Sequence, residues 1–157
     1  MPKERLAIEV SQRLQRRRSC NALLYVPEAG APAFHRTRRY EFGFTGSREA
    51  VKRFARQVLL DPVSQELHCG EEAVYAGYSF ILDYGMKPGV LDLEKEAVLQ
   101  FHKKSRDGLC AIEALRITKR LYIFRENGEE PSAASLVRDI VNPAIHTWTV
   151  THADRDA

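Results

Sequence analysis

Residues 39–44 alternate apolar and polar, with Tyr40, Phe42 and Phe44 on one face, the period-two signature of a half-buried strand. The period then lengthens. Val51, Phe54, Ala55, Val58 and Leu59 recur at helical spacing and form one apolar stripe, with Ser47 placed to cap the helix ahead of it. Asp61-Pro62 stops that helix, because the residue before a proline is pushed out of the α region, and a short strand is expected over 63–67.

A second set of elements follows. Tyr78, Phe80, Leu82 and Tyr84 share one strand face, Lys87-Pro88-Gly89 makes a turn, and Asp92 caps a helix carrying Leu93, Ala97, Val98 and Phe101. A connecting strand over 110–117 comes next. Leu121-Tyr122-Ile123-Phe124 is apolar on both faces, so both sides of that strand should be covered by protein. Pro131 suits a first helical turn, Ala133, Leu136, Val137, Ile140 and Val141 supply the stripe, and Asn142-Pro143 ends it before His146, Trp148 and Val150 alternate along a last strand.

These two runs are copies of each other. Thr37-Arg38-Arg39-Tyr40-Glu41-Phe42 returns 81 residues later as Thr118-Lys119-Arg120-Leu121-Tyr122-Ile123, and the same offset carries Leu59-Leu60-Asp61-Pro62-Val63 onto Ile140-Val141-Asn142-Pro143-Ala144 without a gap. The second copy reads β-α-β-β-α-β, the ferredoxin-like order, in which two helices cover one face of an antiparallel sheet. In the first copy Leu6, Ile8 and Val10 form the opening strand, but 13–35, with Pro27, Gly30 and Pro32, is about eight residues too short for the same helix and strand. A truncated or irregular helix is expected there. The sequence therefore predicts an α+β protein made of tandem ferredoxin-like units, 1–72 and 73–152, joined near 70–77 and ending in a loose tail at 153–157. A unit of this size covers one sheet face with its own helices, so the two copies are expected to pair as a pseudo-twofold dimer does.

Charge changes this picture little. The formal charge is +3, and the excess is local: 13 Lys/Arg against 9 Asp/Glu in residues 1–75, concentrated in Arg16-Arg17-Arg18, Arg36, Arg38 and Arg39, against 11 and 12 in the remainder. Tyr40 and Phe42 beside these arginines raise an RNA-binding sheet surface as one alternative, but they occupy the face expected to be core and no RNP-like aromatic string is present. Three cysteines without paired spacing, and an N-terminus lacking an apolar targeting core, fit a cytoplasmic protein without disulfides. No apolar stretch reaches bilayer length.

Candidate chemistry is sparse. The five histidines show no metal-ligand spacing, Gly46-Ser47 lacks the setting of a nucleophile elbow, and Lys87 is not followed by the rest of a phosphate loop. No catalytic residue, metal or cofactor is expected. Arg39 and Arg120 hold equivalent places in the two copies and suit either ion pairs to a partner subunit or intrachain salt bridges. A metabolite-binding module with a pocket at the junction of the copies is a further alternative.

Lys87-Pro88-Gly89-Val90-Leu91-Asp92, Arg116-Ile117 with Lys119, and Val141-Asn142-Pro143-Ala144-Ile145 give residues 78–150 a resemblance to the PurS family, the small subunit of phosphoribosylformylglycinamidine synthase. The first copy shares only the rear portion, with Asp61-Pro62 where the family has Asn-Pro. The resemblance implies a non-catalytic assembly subunit in purine biosynthesis that joins a glutaminase subunit to an ATP-dependent synthetase subunit, with no nucleic-acid or membrane partner. It implies a chain that works as a monomer mimicking the family dimer, or as a homodimer. Lys87, Pro88, Gly89, Asp92, Arg116, Lys119 and Asn142 are the partner-interface residues it points to, and Arg39 and Arg120 join them from their equivalent places in the repeat.

Overall fold

The computed structural model describes residues 3–105, 108–128 and 130–153. Among them the order is β1 (Glu4–Gln12), β2 (Arg18–Ser19), β3 (Ala33–Gly46), α1 (Arg48–Val58), β4 (Gln65–Cys69), β5 (Phe80–Met86), α2 (Leu93–Ser105), β6 (Cys110–Phe124), α3 (Ala133–Ile140) and β7 (His146–His152), with one turn of 3-10 helix at Cys20–Ala22. The protein is α+β and its sheet is antiparallel. None of the described helices is long and apolar enough to cross a membrane.

Two compact units emerge, and neither is a continuous half of the chain. The first comprises Met1–Leu14, Arg38–Val74 and Leu91–Ile117; the second comprises Gln15–Thr37, Tyr75–Val90 and Thr118–Ala157. The packing therefore departs from the sequential division 1–72 and 73–152. Helix α2, read from the second copy, belongs to the first unit, and the short front segment of the first copy belongs to the second unit.

The cause lies in β3 and β6. Sequence reading expects two strands over 110–124, but they are one 15-residue strand, and β3 likewise begins at Ala33 and runs 14 residues. Nothing at Thr37-Arg38 or Ile117-Thr118-Lys119-Arg120 can turn the chain: there is no glycine, proline, asparagine or aspartate, and the residues suit an extended backbone. Each strand is continuous, and its residues are divided between the two units.

In the first unit the strand order is β4-β1-β3-β6, with Leu6 opposite Phe42 and Ile8 opposite Tyr40. Tyr40, Phe42 and Phe44 are buried as the alternation predicts, and with Leu6, Ile8, Val51, Phe54, Val98 and Leu115 they build the core. Helix α1 starts where the sequence places it: the Ser47 hydroxyl accepts the Ala50 N–H at 3.2 Å. Asp92 does the same for α2 through the Lys95 N–H, at 3.1 Å. The covered face of α2, however, is Val98 and His102, while Leu93 and Phe101 of the expected stripe are exposed. Phe101 reaches only the rim of the core, its ring 6.3 Å from that of Phe54.

In the second unit the order is β3-β6-β5-β7, with β2 paired to β3. Phe34, Phe80, Leu82, Leu121, Ile123, Leu136 and Val141 form its core. The Leu121–Phe124 run is buried on both faces, as its composition requires. The segment too short for a helix supplies β2 and the 3-10 turn, which buries Cys20, and desolvation, then the charge of Glu28, push that thiol up to about 12. Tyr78 lies ahead of β5 instead of within it, its ring edge-on to Tyr122 at 5.6 Å. Pro131 precedes the N-cap position of α3, Ser132, instead of occupying the first turn. Of the tail expected at 153–157, only Ala153 is among the described residues.

Candidate partner interface

The turns that close α1 and α3 are built alike, residue for residue at the 81-residue offset. Asp61 accepts the Val63 N–H with its carboxylate at 3.0 Å and donates its own N–H to the Gln65 side chain at 2.9 Å. Asn142 accepts the Ala144 N–H with its amide oxygen at 3.0 Å and donates its own N–H to the His146 ring at 3.0 Å. Both are side-chain-closed turns, and proline at the next position contributes its fixed φ. The Ser64 hydroxyl, then the Val63 N–H, hold the Asp61 carboxyl below its ordinary value.

The Asn142 turn meets the Lys87 turn in the second unit. The Lys87 N–H donates to the Ile145 carbonyl at 2.8 Å, and the Val90 N–H closes back on the Lys87 carbonyl at 3.1 Å. Gly89 takes φ +86°, a left-handed conformation that explains a glycine there. Lys119 stands over the Tyr84 ring at 5.9 Å, and Tyr84 lies edge-on to His146 at 5.3 Å. Lys87, Pro88, Gly89, Lys119 and Asn142 thus come from three sequence-distant segments to one end of this unit. Among the described residues, neither Lys87 nor Lys119 has a carboxylate within salt-bridge distance, so this end carries uncompensated positive charge. Burial, then the Lys119 charge, lowers the His146 pKa.

The remaining candidates lie elsewhere. Asp92 is spent on capping α2, and Arg116 is an exposed residue of β6 in the first unit. Arg39 and Arg120 are buried and engaged within the chain. Arg120 forms a two-pronged pair with Asp83 on the neighbouring strand, Nε to Oδ1 at 2.8 Å and Nη2 to Oδ2 at 2.9 Å. Arg39 stands opposite Glu9 across β1 and β3, with 3.9 Å between Nε and Oε1, and reaches Glu71 at 2.9 Å. Of the two roles the sequence leaves open for these arginines, the structure displays the intrachain one.

Glu9 and Asp83 are the partners that sequence reading missed. They occupy matching places in the two units, each directly opposite its arginine, but the first copy is shorter at the front and the 81-residue offset does not align them. A buried-face acid within a strand, Glu9 between Ile8 and Val10 and Asp83 between Leu82 and Tyr84, is the available signal.

The histidines have separate structural roles. His35 is buried, stacked on Tyr75 at 4.3 Å and edge-on to Phe124 at 5.3 Å, and its Nδ1 has no hydrogen-bond partner among the described residues. His102 accepts the Ile112 N–H at 3.3 Å, and His68 pairs with Ser11 at 3.1 Å. Burial, and after it the Arg17 charge, holds the His35 pKa below its ordinary value. The unfolded chain therefore takes up a proton near pH 6.5 that the folded chain declines at His35, so the contribution of this residue to stability is level above neutrality and falls as pH drops below about 6.5. His35→Phe keeps the ring on Tyr75 and removes the proton site. Urea midpoints measured from pH 7.5 to 5 should fall less steeply for this variant than for the wild type.

Tyr40 and Phe42 are buried in the first unit's core, so neither presents a ring on which a base could stack. Among the described residues no group of three metal-ligating side chains is gathered. No family model, curated protein or solved structure matches the chain.

Proposed function

We propose that this chain is the assembly subunit of a formylglycinamidine ribonucleotide synthase, two ferredoxin-like units in one polypeptide standing where the PurS-like family uses two protomers. The observation that carries the reading is the strand path. β3 and β6, related by the 81-residue repeat, pass from one unit to the other within one residue of equivalent points, at Thr37-Arg38 and Ile117-Thr118.

Each unit then draws its elements from both copies, the second with an irregular segment where the first has helix α2. In the first, β1, α2, the front of β6, the rear of β3, α1 and β4 correspond to the six elements of a ferredoxin-like unit, and the order β4-β1-β3-β6 is that fold's 4-1-3-2 arrangement. In the second, β5, the irregular 15–32 segment, the front of β3, the rear of β6, α3 and β7 give the same arrangement as β7-β5-β6-β3. Two separate chains of one repeat could exchange these segments; a fused chain does so within itself.

An adaptor of this kind acts by position. Ammonia released by a glutaminase is soon protonated in water and lost as a nucleophile, so holding the glutaminase against the synthetase lets it pass through an enclosed interface. The Lys87, Lys119 and Asn142 end of the second unit is the surface proposed to dock one of these two partners, its positive charge suited to an acidic face.

Reconstitution tests this. The chain alone should show no turnover. Added to a glutaminase subunit and a synthetase subunit, it should confer glutamine-dependent amidation of formylglycinamide ribonucleotide, while the synthetase uses free ammonia with or without it. Equal glutamine-dependent rates with and without the chain would remove the proposal.

A further inference from the structure

Among the described residues β7 ends its sheet, pairing with β5 on one side and with no strand on the other. Its sequence is His146-Thr147-Trp148-Thr149-Val150-Thr151-His152: seven β-prone residues with no lysine, arginine, carboxylate or proline. Sheet edges are usually blunted by such residues or by brevity. The opposite edge follows that practice, since β4 has five residues and carries Glu66, paired with Arg13 at 3.1 Å. β7 has neither protection, and Trp148 on it is 43% exposed.

The strand is also its own complement. Read from either end it is His, Thr, apolar, Thr, apolar, Thr, His, centred on Thr149. Main-chain geometry agrees with that centre. The Ala153 N–H donates to the Ser79 carbonyl and the Ile145 carbonyl accepts the Lys87 N–H, so odd-numbered residues turn their main chain toward β5. By strand alternation, Trp148, Val150 and His152 turn theirs outward, while at His146 the N–H closes on the Asn142 carbonyl at 2.8 Å and only the carbonyl is left to face outward.

We propose that a second copy of this chain adds to β7 as an antiparallel strand about a twofold axis at Thr149. In that register Trp148 pairs with Val150 of the other copy through two main-chain hydrogen bonds, and His146 meets His152 through one, from the His152 N–H to the His146 carbonyl, because the His146 N–H is held by the Asn142 carbonyl at 2.8 Å. The threonines 147, 149 and 151 meet threonines on one face, and Trp148 lies across from Val150 on the other, both favourable cross-strand combinations. No ionised side chain meets another of its own sign when the histidines are neutral. A twofold contact of this kind is closed, so it yields a dimer and not a fibre. The inference rests on the strand itself and is independent of the assembly role proposed above.

Sedimentation equilibrium of the full chain at neutral pH should show a monomer–dimer equilibrium. Trp148→Lys, which places a charge on the edge and deletes the ring, should weaken association at least tenfold with an unchanged circular dichroism spectrum. The register is read by disulfide trapping after Cys69→Ser removes an exposed thiol. Added Thr149→Cys should link two chains under mild oxidation because the two cysteines face each other, and Thr151→Cys should not, because it faces Thr147. A wild-type chain that stays monomeric at all concentrations, including one that instead captures an unrelated extended peptide, overturns the proposal. So does dimerisation undiminished in Trp148→Lys, or a Thr151→Cys variant that links as well as Thr149→Cys.

Discussion

Asp83→Ala should lower the stability of the protein by about 3 kcal/mol, because it removes the carboxylate that meets a buried guanidinium on two prongs. Arg120 and Asp83 face each other on adjacent strands with side chains 8% and 18% exposed, and both prongs of the pair are at hydrogen-bond distance. The pair itself is worth far less than that loss, since its attraction offsets the desolvation of both ions; what destabilises is the charge left behind. A double variant, Asp83→Ala with Arg120→Met, should therefore regain most of the stability and lie within about 1 kcal/mol of the wild type. In thermal melts the single variant should fall by about 10 °C and the double by only a few degrees. Equal losses in the two would mean that Arg120 is held by something other than Asp83. Glu71→Ala is the contrasting case: its carboxylate is 79% exposed, and losing its contact with Arg39 should cost about 0.5 kcal/mol or less.

Local chemistry in this chain was legible and long-range pairing was not. Ser47, the 51–59 stripe and the Asp61-Pro62 stop define α1 by interactions within a few residues, and α1 runs from Arg48 to Val58. The repeat likewise led to two matching turns, at Asp61 and Asn142. The compact units interleave segments from both halves of the sequence, and a strand carries no record of where its neighbours change. Thr37-Arg38 and Ile117-Thr118 read as ordinary extended backbone, and only the tertiary structure shows that the chain changes units there. Helix α2 was misread for a related reason. Leu93 and Phe101 are its conspicuous apolar residues, yet the sheet against which it packs covers Val98 and the polar His102.

The candidate site divides along the same line. The Lys87-Pro88-Gly89 and Asn142-Pro143 turns are recognisable from their residues, but the hydrogen bond from Lys87 to Ile145 that joins them spans 58 positions of sequence. The reach of Arg39 and Arg120 was legible; their partners, fixed by strand register, were not.

Gly46→Ala should cost the first unit about 3 kcal/mol or more. Gly46 ends β3 at φ +97°, outside the range alanine favours, and an added Cβ would stand 2.5 Å from the Leu109 carbonyl oxygen and 2.9 Å from the Cys110 Cα. Both obstacles are backbone, so no side-chain rotation relieves them. The same carbonyl accepts the Ser47 N–H at 2.9 Å, and Ser47 caps α1, so displacing it disturbs the start of the helix as well as the end of the strand. Gly128→Ala separates the two causes. That glycine also has a positive φ, +79°, but nothing lies within 4 Å of its added Cβ, so only the backbone strain of about 1 kcal/mol remains. Denaturant midpoints for the two variants should differ by the contribution of the close approach alone. If Gly46→Ala is as mild as Gly128→Ala, the junction between β3 and the start of β6 is looser than 2.5 Å allows.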